Sequence, residues 1–256
     1  MNERLLVFEF PLNERMRVFL RLEQLFKQIS YFMDKSSIWD SRAAVTMLLD
    51  VLTIFTRNDL KSEILKELER HSGVLARIAR SQNVDQSKLQ QLRDQLEYIT
   101  HTLYSTSGKI GLGLMENELF KSIAQRTSIP GGTCGFDLPE YHYWLEQDEQ
   151  TRQQDLIEWT RPFMIIRDAV DLILGFIRQS AVPSQENAEA GYFQQSLDRS
   201  VPYQLVSVSY PASLPYFAEI SGGKHRFSIR FMTVDQNSRS IQASTDIPFW
   251  LTQCVF

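Results

Sequence analysis

The sequence predicts an α+β protein: an N-terminal helical bundle followed by an antiparallel β-sheet domain, with a short N-terminal strand joining that sheet. Three observations lead there. Apolar residues recur at spacings of three and four from about residue 13 to 180. A polar, breaker-rich segment, AVPSQENAEAG, follows at 181–191. Beyond it, short runs rich in aromatic and β-branched residues alternate with turn residues. These features place a mainly helical domain at 1–182 and a strand-rich domain at 183–256.

The first element is a strand at 5–10, LLVFEF, ended by Pro11. It has no local partner, so it is expected to pair within the C-terminal sheet. Asn13 is a suitable N-cap for the next helix, whose apolar stripe is Val18, Leu22, Leu25, Phe26, Ile29, Phe32 and Met33. A second helix is expected over 40–56. A third starts at Asn58-Asp59 and carries Leu60, Ile64, Leu68, Leu75 and Ile78, with Gly73 as a candidate break. Asp85 caps a fourth, with Leu89, Leu92, Leu96, Ile99 and Leu103 on one face. Residues 115–126 are expected to be helical again.

The loop SIPGGTCGFDLP comes next, and Asp137 with Glu140 has the spacing of a capping box for an aromatic helix holding Tyr141, Tyr143 and Trp144. A helix near 148–159 leads to Pro162 and a strongly amphipathic helix ending near Ser180. Strands are expected at 191–197, 203–210, 215–220, 226–234 and 241–249. Gly222-Gly223 supplies a hairpin turn. Period-two alternation sets Arg226, Ser228 and Arg230 opposite Phe227, Ile229 and Phe231.

The 256 residues are 43% hydrophobic, enough for a sizeable core. A net charge of −4 argues against broad nonspecific nucleic-acid binding, though a local basic stripe is compatible with it. No run reaches the roughly 18–20 apolar residues of a membrane span. Two cysteines, Cys134 and Cys254, make no disulfide framework, and the N-terminus lacks the apolar core of a signal peptide, so a cytoplasmic protein with reduced thiols is expected.

Candidate chemistry is sparse. His71, His101, His142 and His225 lack second ligands at metal-binding spacing, and no metal or cofactor is expected. Gly111-Leu112-Gly113 lacks the rest of a dinucleotide fingerprint, and Gly222-Gly223-Lys224 lacks the first half of a P-loop. Cys134 lies between glycines without an evident base. No acid–base pair stands out, so no catalytic residue is assigned. The basic residues are more informative. Arg17 and Arg21 lie one helical turn apart, and Arg226 and Arg230 share a strand face extended by Lys224 and His225. Such groups suit an acidic peptide, and an ordinary solvated face is the plain alternative. The nearby aromatic residues Phe8, Phe10, Phe19, Tyr141, Tyr143 and Trp144 are either core or anchors for a partner.

The strings FEFPLNERMRVFLRLE, LKSEILKELER, SIPGGTCGFDLPEYHYWL, ILGFIRQSA and EISGGKHRFSIRFM occur in this order along the chain. Together they resemble the ZapD family of bacterial cell division proteins. Segments 34–56, 78–108 and 183–212 are less similar, and the acidic Met115-Glu116-Asn117-Glu118 departs from a more basic family pattern. The resemblance implies a non-enzymatic cytoplasmic homodimer at the midcell Z-ring. It implies binding to the C-terminal tail of FtsZ and bundling of FtsZ filaments. It draws Arg17, Arg21, Arg126 and His142 together as a candidate tail-binding pocket, with Arg226 and Arg230 as second choices. The competing reading is a small-molecule-binding protein or enzyme whose site is assembled from distant residues.

Overall fold

In the computed structural model, residues 3–57, 59–79, 85–106, 108, 110–235 and 238–255 are described. The protein is α+β, with helices followed by antiparallel strands and the N-terminal strand built into one of the sheets, as the sequence predicts. Contacts divide the chain into two compact units, residues 1–20 with 174–256, and residues 21–173.

The helices are α1 (Glu14–Met33), α2 (Ile38–Arg57), α3 (Leu60–Ile78), α4 (Gln86–Ser105), α5 (Glu118–Arg126), α6 (Pro139–Leu145), α7 (Glu149–Thr160) and α8 (Met164–Gln179). Asn13 caps α1 as expected, its Oδ1 accepting from Met16 N at 2.9 Å. Asp85 caps α4 through Ser87 N and Lys88 N, both at 3.1 Å. Asp59 precedes α3 without a side-chain cap, and Asn58 lies outside the described residues. Gly73 sits inside an unbroken α3. The tertiary packing of Leu68, His71 and Leu75 on its buried face outweighs a single glycine.

Three local expectations are corrected. The predicted helix over 115–126 is two pieces: a 3-10 turn at Leu112–Glu116, then α5. Asn117 divides them, because its extended backbone and side chain cap α5, with Oδ1 accepting from Phe120 N at 2.9 Å. The capping box at Asp137 does not form. Leu138 is the N-cap of α6 and makes no side-chain cap bond. Pro139 at the first position has no N–H to satisfy, and Asp137 instead accepts from Arg126 Nη1 at 3.1 Å. The apolar stripe of α1 is rotated from the expected one: Met16, Phe19, Leu22, Phe26 and Ile29 are buried, while Val18 and Leu25 are half-exposed.

In the unit of residues 21–173, Leu48, Val51, Ile64, Leu68, Ile99, Leu103, Phe120 and Phe163 are among the buried side chains. The ring of Trp159 lies 5.1 Å from Trp144 and 5.6 Å from Phe120, and Trp144 Nε1 donates to Asp155 Oδ2 at 2.7 Å. Arg152 is buried yet satisfied: it donates to Ser41 Oγ (3.1 Å), Ser36 O (2.6 Å), Leu145 O (3.3 Å) and Gln147 O. A guanidinium used this way fixes three chain segments around one planar fork.

The other unit is a two-sheet β structure. The strands are β1 (Leu5–Pro11), β2 (Ser184–Ala188), β3 (Tyr192–Ser196), β4 (Tyr203–Pro211), β5 (Phe217–Gly222), β6 (Arg226–Val234), β7 (Ser240–Gln242) and β8 (Ile247–Val255). One sheet has the order β1-β4-β8-β2, the other β3-β6-β5 with β7 beside β6. Val206, Val208 and Tyr210 from the first sheet meet Phe227, Ile229 and Phe231 from the second in one buried cluster. β1 pairs β4 antiparallel, Leu6 with Tyr210 and Phe8 with Val208, which gives the N-terminal strand its predicted place. The hairpin at Gly222-Gly223 forms, with Gly223 N donating to Arg226 O at 3.0 Å.

The polar, breaker-rich segment at 181–191 contains a strand that was not expected there. β2 pairs β8 from Ser184–Leu251 to Ala188–Ile247. It is an edge strand whose only fully buried side chain is Ala188, so its pairing is carried by backbone and leaves little trace in composition. The predicted strand at 241–249 is divided between β7 and β8, and β8 continues to Val255.

Candidate partner-binding site

In the unit of residues 21–173, the candidate residues Arg126 and His142 flank one loop. That loop is a chain of tight turns between α5 and α6: Ile129 N donates to Arg126 O, Gly132 N to Ile129 O, Cys134 N to Gly131 O and Leu138 N to Cys134 O. Gly132 is required by close approach, since an added methyl group would lie 2.7 Å from Arg126 O. At Gly135 the same group would come within 3.2 Å of the His142 ring. The glycines therefore let the loop wrap against α5 on one side and His142 on the other.

Arg42 of α2 holds the loop in place. Its Nη1 donates to Thr133 Oγ1 at 3.0 Å and its Nη2 to Thr133 O at 2.9 Å, while the guanidinium carbon sits 5.0 Å from the Tyr141 ring centroid. No spacing in the sequence connects residue 42 to residue 133, so Arg42 was missed. The pinned loop presents Phe136, 85% exposed, and α6 presents His142 and Tyr143 to solvent. Tyr141 and Trp144, by contrast, are core. Arg126 is half-exposed and engaged with Asp137. Arg21, on α1, is exposed.

In the other unit, Arg17 pairs with Glu14 at 3.2 Å and lies with its guanidinium carbon 5.7 Å from the Phe10 ring centroid. Phe19 is fully buried. Arg226 and Arg230 project from the exposed face of β6, four residues or about 13 Å apart. Between them Ser228 Oγ is 3.0 Å from Ser221 Oγ on β5. Arg230 stands across from Glu219 on one side and Tyr192 on the other. Neither arginine has an ion pair among the described residues. Period-two alternation was sufficient to find this pair, because the opposite face is the core.

Titration behaviour follows burial. Burial pushes the Tyr141 and Tyr210 hydroxyls up to about 12 and the Cys254 thiol up to about 11. Cys134 is exposed on the loop and Cys254 is buried.

These features define an α+β protein with a helical unit and a two-sheet unit, each carrying exposed cationic side chains on well-anchored elements. No described helix is long and apolar enough to cross a membrane. The chain belongs to the ZapD family of cell division proteins, whose family model matches residues 20–230. It is 50% identical to the cell division protein ZapD of Methylococcus capsulatus over 250 residues, covering 98% of each chain. It is 38% identical to that of Chromobacterium violaceum, covering 97% of this chain and 99% of the relative. The ZapD of Ralstonia pickettii is 37% identical, covering 98% and 100%.

Proposed function

We propose that this protein binds the C-terminal tail of FtsZ and, as a cytoplasmic homodimer, crosslinks FtsZ filaments at the midcell Z-ring. The observation that carries this reading is its near-full-length kinship with ZapD cell division proteins. The exposed Arg21, His142, Arg226 and Arg230 and the half-exposed Arg17 and Arg126 supply groups suited to an acidic tail. Phe136 and Tyr143 supply exposed aromatic surface beside His142. No catalytic step is invoked. A dimer would carry two tail sites by symmetry, and weak contacts would gain avidity on a polymer of repeated tails.

The deciding experiment is co-sedimentation with GTP-polymerised FtsZ, with and without the FtsZ C-terminal tail. Pelleting and bundling that require the tail and weaken with added salt are expected. Absence of co-sedimentation at low salt with intact cognate FtsZ would refute the reading.

A further inference from the structure

The two-sheet unit contains a cavity of about 350 Å³ where the ends of the two sheets meet the 197–202 loop. Its floor is apolar, formed by the buried Leu12 and Leu197 with Val201 and Tyr203. Its rim carries two exposed cations, Arg199 from the loop and Lys224 from the β5–β6 turn. No acidic side chain lines the cavity among the described residues.

The carboxylates nearest in sequence to the rim have partners of their own. Asp198, next to Arg199, bonds within its own turn: Oδ1 accepts from Ser200 N at 2.9 Å and from Ser200 Oγ at 2.8 Å. Those bonds hold its carboxyl below the usual range. Glu14, at the start of α1, is paired with Arg17. Neither Arg199 nor Lys224 has an ion pair among the described residues. The loop itself is fixed, with Leu197 N donating to His225 O at 2.8 Å and Val201 N to Asp198 O at 3.2 Å. The wall between Leu197 and the β5–β6 turn is thus a backbone-bonded surface, and the site does not need to be created by its ligand.

We propose that this cavity is a peptide-anchoring site that takes an apolar side chain flanked by a carboxylate. The apolar floor accepts the side chain, and Arg199 and Lys224 hold the carboxylate by charge-assisted hydrogen bonds. The occupant is an acidic peptide segment of a protein partner. Its identification with the FtsZ tail rests on the function proposed above. Arg226 begins the strand that follows Lys224, so in sequence the anchoring site adjoins one of the cations proposed above for tail binding.

The test measures fluorescence anisotropy of a labelled FtsZ C-terminal tail peptide with the full chain. It compares the wild type, the double variant Arg199→Glu with Lys224→Glu, and a control with the same charge change at the exposed Lys66→Glu and Lys121→Glu. The pocket variant is expected to weaken binding about tenfold, the scale of one charge-assisted contact, while the control changes little. Equal weakening in both variants, or none in the pocket variant, overturns the anchoring site and leaves tail binding in place. If the wild type does not bind the peptide, the proposed function fails. The cavity is then decided by a ¹H–¹⁵N titration with N-acetyl-L-leucine and its carboxamide. Saturable shifts at Leu12, Leu197 and Tyr203 with the acid alone support an acidic-peptide site, and their absence overturns it.

Discussion

Arg178 holds Glu9 by two parallel hydrogen bonds, Nε to Oε1 and Nη2 to Oε2, each 2.7 Å long. The last turn of α8 is thereby tied to β1 across 169 positions of sequence. The geometry is bidentate and the pair is about two-thirds shielded, which separates it from the ordinary surface ion pairs of the protein. Arg178→Ala is expected to lower stability by about 2 kcal/mol. A double-mutant cycle with Glu9→Ala, read by urea unfolding, should recover most of that loss as coupling. A coupling near zero would show that the pair contributes nothing net.

Arg42 is the only described side chain found donating to Thr133. Removing it as Arg42→Ala should cost about 1–2 kcal/mol and free the loop between α5 and α6. Amide hydrogen exchange at residues 129–137 should accelerate more than exchange in α2 itself. Uniform acceleration, or none, would mean that the turn network and its glycines hold the loop without Arg42.

His71 on α3 is fully buried, with Nδ1 2.8 Å from the Glu67 carbonyl oxygen. Burial lowers its pKa from 6.5 to about 4, outweighing the upward pull of the Glu67 and Ile173 carbonyls and of the Glu67 charge. The folded state therefore binds this proton less readily than the unfolded state. Its contribution to stability is complete above pH 6.5 and is lost as pH falls from 6.5 to about 4, by about 3 kcal/mol in total. Urea midpoints measured across this window should fall more steeply for the wild type than for His71→Gln. Parallel curves would show that His71 does not carry the pH dependence.

The double variant Arg17→Glu with Arg21→Glu is expected to abolish tail binding while the protein remains folded. Arg21 is exposed and Arg17 is half-exposed, and reversing Arg17 exchanges one surface ion pair, with Glu14, for a repulsion at that helix start. Circular dichroism and tail-peptide anisotropy on the same preparation separate folding from binding. Unchanged affinity in a folded variant would remove these arginines from the site.

Much of this architecture was legible because the signals were local. The N-cap at Asn13, the hairpin at Gly222-Gly223 and the alternation in β6 are each decided by residues within one or two turns of each other. Of the candidate site residues, Arg226 and Arg230 could be placed on an outer face from period alone. The misread elements share a different feature. β2 is a polar edge strand defined by backbone pairing, and Asp137 bonds to Arg126, eleven residues earlier, instead of capping α6.

The sequence by itself determined that helices precede the strand-rich part, the helix caps at Asn13 and Asp85, and the family to which the chain belongs. Those depend on periodicity, on short-range capping chemistry, and on long strings of residues in a fixed order. Only the tertiary structure decided that Arg42 pins Thr133, that Arg152 is buried among four carbonyl and hydroxyl oxygens, and that Leu12, Leu197 and Lys224 line one cavity. Each of these joins residues far apart in the chain through side-chain direction and close packing, and neither composition nor spacing encodes that geometry.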